Sequence, residues 1–208
     1  MGSPPELAPD FDAGAVCLDF ANTLAGNRAA RPRERLGDYR DLLAWGTAAG
    51  CLPPQAAARL ARRAAREPAR ARAELRRARQ ARERLYGIFS RLAAGEPPGA
   101  RDLAGFNRDL ARALRHLRLQ AGGDAGTLVW SWEDEGDLGR PLWPVLRSAG
   151  ELLASPAAAR VRECAAEICS WLFLDRSHAA RRRWCDMTTC GNRAKAARHY
   201  RRRRPAGS

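Results

Sequence analysis

A chain of 208 residues, 45% hydrophobic and 29% charged, is long enough for one large domain, or for a main domain with a small appendage, and can bury a real core. No apolar run approaches the roughly eighteen residues of a membrane span, and the opening MetGlySerProProGlu lacks the basic and apolar regions of a signal peptide, so a soluble, cytoplasmic protein is expected. The net charge of +14 needs a discount, because 36 of the 37 basic residues are Arg, a bias that a G+C-rich genome produces by itself.

In chain order, the apolar run at 16–24 predicts a short buried helix whose Asp19, Asn22 and Thr23 line or cap something. Arg35–Gly50 reads as a helix with Leu36, Tyr39, Leu42, Leu43 and Trp45 near one face and Gly50 as its stop. A second helix runs from Pro54 to about Glu67. Beyond Pro68 the steps through Ala71, Leu75, Ala78, Leu85, Phe89 and Leu92 mark one apolar stripe, opposite a face of Arg and Glu. Glu67, Glu74 and Glu83 break up that basic face, so it reads as solvated scaffold and not as a nucleic-acid surface.

After GlyGluProProGly at 95–99, helical spacing resumes over Asp102–Leu117 through Leu103, Phe106, Leu110 and Leu114. Leu117–Gln120 and Thr127–Glu133 form the arms of a hairpin, with Trp130 and Trp132 on one face. Pro141–Leu153 is the last helix of the body, and SerProAla at 155–157 is the best boundary signal. The fold class is therefore mainly α with a small β-hairpin (α+β), divided into a helical domain at 1–155 and a small C-terminal unit at 156–208. Trp45, Trp130, Trp132 and Trp143 are able to enclose a small-molecule effector, although Trp at such spacing is more often core; Asp19 and Asn22 are the polar residues to inspect there.

Charge and cysteine are both concentrated at the C-terminal end. From Arg160 to Ser208 there are 13 basic and 4 acidic residues, a net of +9, against +5 for everything before. Codon bias acts on the whole gene alike, so the local excess reads as a footprint for an anionic partner, with nucleic acid the default and a solubilising tail the bland alternative. Cys164, Cys169, Cys185 and Cys190 make two close pairs separated by fifteen residues. Two such pairs in a cytosolic chain fit a tetrahedral thiolate site for zinc; buried thiols, a redox pair and an iron–sulfur cluster fit the spacing as well.

Within this unit, Arg160–Cys164 and Trp171–Asp175 are expected to be extended, placing the first cysteine pair in a hairpin turn. Cys190 then opens a run of helix formers. On that helix Lys195, Arg198 and Arg202 share a side, with Ala196, Ala197 and Tyr200 on another, so one face can dock while another meets phosphate.

TrpLeuPheLeuAspArgSer at 171–177 and TrpCysAspMetThrThrCysGlyAsnArgAlaLysAlaAlaArgHisTyr at 184–200 resemble the CGNR-type zinc finger, whose four name-giving residues here are Cys190, Gly191, Asn192 and Arg193. Upstream, CysLeuAspPheAlaAsnThrLeu at 17–24 resembles the start of the ABATE domain that precedes this finger in bacterial stress-induced transcription regulators. The resemblance implies one structural zinc ion held by Cys164, Cys169, Cys185 and Cys190, and a finger that binds DNA. One departure is visible: AlaAlaGluIle stands between Cys164 and Cys169, where family members often carry an Asn-Pro turn.

Asn192 is expected to cap the helix or reach a base edge, and Arg193 to grip guanine or phosphate or to bond within the finger, for instance to Asp175. Arg193, Lys195, Arg198, Arg201, Arg202, Arg203 and Arg204 are the candidate nucleic-acid contacts, and His199 is a surface residue rather than a ligand. A short helix reads few bases, so a homodimer pairing two fingers on half-sites would supply further specificity. No phosphate loop, nucleophile elbow or His-Glu-x-x-His spacing joins the titratable residues into a catalytic site, so no enzyme is expected. The competing reading is a zinc-stapled module for RNA or a protein partner, because a basic helix does not by itself distinguish DNA from RNA.

Overall fold

The apolar run after Gly14 coils into α1 (Val16–Ala21), which buries Cys17, Leu18, Phe20 and Ala21. The computed structural model describes residues 11–123, 126–133 and 136–196. Beyond α1 the chain makes a narrow antiparallel ribbon, β1 (Leu24–Ala25) against β2 (Arg33–Glu34). The helix expected from Arg35 begins later, as α2 (Tyr39–Ala48), because Asp38 and Asp41 form a reciprocal cap. The Asp38 carboxylate accepts from the amides of Arg40 and Asp41, and Asp41 accepts from the amide of Asp38. Leu36, outside the helix, is still fully buried. Gly50 ends this segment with a φ of +69°, a conformation that costs glycine nothing.

α3 (Pro54–Arg66) and α4 (Pro68–Ala93) both start on proline, whose missing N–H has no partner to lose at a first helical position. The stripe of α4 is buried as its spacing requires at Ala71, Leu75, Ala78, Leu85 and Phe89, with Ile88 beside it. α5 (Ala100–Leu114) is shorter than expected, since Leu117 leaves the helix to start a strand. Only Phe106 of its four apolar markers is buried, while Leu103 and Leu114 are exposed.

β3 (Leu117–Ala121) pairs with β4 (Leu128–Trp132) in the expected hairpin, with Leu119 opposite Trp130 and Leu117 opposite Trp132. Trp132 packs against Trp143 on the body, whereas Trp130 is exposed. A 3-10 turn at Arg140–Leu142 leads into α6 (Trp143–Leu153). The segment expected as a boundary is a second 3-10 turn, Pro156–Arg160, whose Ala157 packs against the core. It runs directly into β5 (Val161–Glu163), which pairs with β6 (Leu172–Leu174).

One core collects side chains from every helix and also takes in Val161 of β5 and Leu172 of β6. Each large side chain buried there contributes about 1.5–3 kcal/mol. A separate small cluster holds Cys164, Ala166, Phe173 and Cys190, with Trp171 and Trp184 packed on it. The structure is thus mainly helical with small two-stranded sheets, and its C-terminal hairpin and the turn that follows it bring four cysteines together. No described helix is long and apolar enough to cross a membrane.

Candidate metal centre

β5 and β6 diverge at Cys164 and Cys169, so that both cysteines stand in the loop closing the hairpin. Hydrogen bonding from the Cys164 amide to the Trp171 carbonyl (2.9 Å) and from the Cys169 amide to the Ala166 carbonyl (2.9 Å) shapes that loop without the Asn-Pro turn. The second pair is brought in by a turn at Met187–Gly191, capped by Asp186, whose carboxylate accepts from the Thr189 amide at 2.6 Å. Gly191 sits close under Met187, whose sulfur would lie 3.1 Å from a Cβ there, so a larger residue needs that exposed side chain to move by a few tenths of an ångström.

The result is a cluster in which the sulfurs of Cys164, Cys169, Cys185 and Cys190 all lie within 4.8 Å of one another. Zinc–sulfur bonds of about 2.3 Å define a tetrahedron with edges of about 3.8 Å. The sulfurs of Cys169 and Cys185 are 3.9 Å apart, and those of Cys185 and Cys190 are 3.6 Å apart. The donor set and its spacing therefore fit a zinc ion. The Cys185 amide also points at the Cys164 sulfur, 3.5 Å away, as a donor to a thiolate would.

Protonation is consistent with a site that wants a cation. Hydrogen bonds from the Cys169 and Cys185 thiols pull Cys164 far down, and the same sharing pushes Cys169 up to about 12 and Cys185 up as well. Of these three thiols, Cys164 sheds its proton readily while Cys169 and Cys185 hold theirs. A divalent ion supplies the charge that lets all four become thiolates.

The cluster is tied to the helical body by residues from three elements. Asn22 clasps the Leu172 peptide, with Nδ2 donating to its carbonyl at 2.8 Å and Oδ1 accepting from its amide at 2.9 Å. Asn27 donates to the Glu167 carbonyl between the first two cysteines at 2.5 Å, and the Ser170 amide donates to the Gly26 carbonyl at 3.1 Å. From α4, the hydroxyls of Tyr86 and Ser90 donate to Glu163, the residue before Cys164, at 2.7 and 2.6 Å. Arg28 lies over the Tyr86 ring at 3.8 Å and pairs with Glu83.

The remaining site residues divide by exposure. Asp19 and Asn22, expected beside an effector, are buried; Asp19 accepts the Ala13 amide at 3.0 Å, and Asn22 is committed to Leu172. Asp175 is fully buried and accepts from the Ser177 amide, the Ser177 hydroxyl and the Arg182 amide, holding the loop that leads to Cys185. Asn192 donates from Nδ2 to the Thr188 carbonyl at 2.9 Å, a bond back into the preceding turn of the finger rather than an N-cap of the helix that follows. Arg193 and Lys195 are exposed on the helical residues 192–196 that follow Cys190. Arg198, His199, Arg201, Arg202, Arg203 and Arg204 lie outside the described residues.

Asn27, Arg28 and Glu163 were not singled out by sequence. An acidic residue beside a cysteine of a strongly basic segment, and an Asn-Arg pair directly after the 17–24 run, were the available signals. Two family models match the chain. One, ABATE, described as "Putative stress-induced transcription regulator", covers residues 14–156, and the other, the CGNR zinc finger, covers residues 160–203. No curated protein matches the chain.

Proposed function

For a chain that belongs to the ABATE family and ends in a CGNR zinc finger, we propose the role of a DNA-binding transcription regulator. The single observation that carries this reading is the convergence of four cysteine sulfurs within 4.8 Å in a segment with a net charge of +9. Cys164, Cys169, Cys185 and Cys190 hold one zinc ion whose role is structural, because four thiolates leave no open position for water or substrate. The ion locks the turn at Met187–Gly191 to the β5–β6 hairpin and so fixes the start of the basic helix.

Arg193 and Lys195, together with Arg198, Arg201, Arg202, Arg203 and Arg204, neutralise phosphate and give an affinity that falls steeply with salt. The body at 1–155 carries the regulatory input and the segment at 156–208 the nucleic-acid contact. Metal analysis by mass spectrometry on protein purified without a histidine tag, beside Cys185→Ser, tests the staple. About one zinc per chain, lost in the variant, is expected. Competition then tests the partner: duplex DNA should displace a bound structured RNA at matched charge. Displacement only by RNA, or indifference to both, would replace the regulator with an RNA- or protein-binding module.

A further inference from the structure

A cleft of about 290 Å³ opens in the helical body between the first half of α4, the end of α5 and the start of α6. Its base is aromatic, with the His116 ring stacked on Trp143 at 4.0 Å between centroids and 7° between planes. Its rim is cationic, formed by Arg70 and Arg77 of α4 and by Arg112 and Arg115 at the end of α5.

Three carboxylates reach the same cleft, and each is already engaged. Glu74 holds Arg77 at 2.5 Å, Asp109 pairs with Arg84, and Asp137 accepts the Gly139 amide at 2.7 Å. Among the described residues Arg112 and Arg115 have no carboxylate partner; Arg115 Nε donates to His116 Nε2 at 3.0 Å. Two guanidiniums one turn apart on a helix repel each other, and a shared anion reverses the sign of that interaction. The dipole at the end of α5 also favours cations there, so ligand binding, and not stability, is the discriminating readout.

We propose that this cleft binds a small anion through a carboxylate or phosphate group held between Arg112 and Arg115, over the His116–Trp143 stack. Its volume suits a metabolite and not a macromolecule. α4 joins the cleft to the metal loop, with Arg70 and Arg77 at one end and Tyr86 and Ser90, bonded to Glu163, toward the other. Calling the anion an effector rests on the regulator reading above; binding of the anion does not.

Titration calorimetry of the full chain at low ionic strength, with citrate and with inorganic pyrophosphate, separates the two chemistries. A saturable one-to-one heat is expected with at least one probe, and the probe that binds names the group. Arg112→Ala/Arg115→Ala should weaken that binding about tenfold or more, as loss of charge-assisted hydrogen bonds does, while Arg59→Ala/Arg62→Ala on α3, an equal charge loss at exposed positions, leaves it unchanged. No saturable heat with either probe, or equal weakening by both double variants, would overturn the site. Loss of duplex-DNA affinity in Arg112→Ala/Arg115→Ala without any anion heat would also overturn it, by assigning these arginines to the nucleic-acid footprint. Anion binding in a chain that binds no DNA would leave the cleft standing and remove only its regulatory role.

Discussion

At 2% exposure, the Asn22 carboxamide meets both hydrogen-bonding groups of a peptide 150 residues away. Asn22→Ala leaves the Leu172 amide and carbonyl buried without partners, a loss of about 2–4 kcal/mol that urea denaturation should report. Nothing in the sequence marks this partner, because an asparagine that lines a pocket and one that clasps a strand occupy the same pattern. Asp19 is informative in another way. Desolvation raises its carboxyl from 3.8 to about 6, outweighing the Ala13 amide that favours the charged form. The folded state therefore keeps a proton that the unfolded state releases, and stability from this group falls as pH rises from about 4 to about 6. Asp19→Asn keeps the acceptor and removes the titration, so its stability relative to the parent should increase over that window, by on the order of 3 kcal/mol. A difference independent of pH would refute that assignment.

Among the elements, α4 shows what periodicity can and cannot disclose. The steps through Ala71, Leu75, Ala78, Leu85, Phe89 and Leu92 identify its buried face, yet the position missing between Ala78 and Leu85 is Arg82, on the same stripe. Arg82 is 3% exposed and grips both oxygens of Glu34 at 2.6 and 2.7 Å, bringing β2 onto the helix. The Arg82 guanidinium in turn holds the Glu34 carboxyl below its usual range against the desolvation that would raise it. The reading of the opposite face as solvated scaffold does not reach this arginine, which falls in register with the core and was not marked by the apolar spacing. Arg82→Ala should cost about 3 kcal/mol in chemical denaturation, since it takes both close ion-pair bonds from the Glu34 carboxylate, leaving it the longer 3.6 Å pairing with Arg79, and opens a cavity on the stripe; a cost under about 0.5 kcal/mol would mean that water replaces the guanidinium. β1 and β2, two residues each, escaped notice because a strand that short has no period to read. The exposed Leu103 and Leu114 show the opposite error, with apolar spacing on a helix that offers the core only one strong anchor.

Across the whole molecule, the fold class and the cysteine grouping were legible because both are written in local pattern, whereas the joining of the two ends was not. Ala13, Asn22, Gly26 and Asn27 meet Leu174, Leu172, Ser170 and Glu167 across the whole run of intervening helices, a separation that no local pattern encodes. Val161 and Leu172 enter the same core as Leu85 and Phe89, so the finger hairpin is half a wall of the body and not a bead beyond a linker. Metal bound between Cys164, Cys169, Cys185 and Cys190 then stabilises more than the loop that carries it, because binding to the folded state alone raises stability by mass action. Calorimetry of zinc-loaded protein should show one cooperative transition, and a chelator should lower it as a unit. Two transitions, with the upper one indifferent to the chelator, would mean that the contacts of Asn22 and Glu163 do not couple the finger to the body. With one transition, anything that shifts α4 against the hairpin also changes the stability of the metal loop, and through it the position of the basic helix at Cys190.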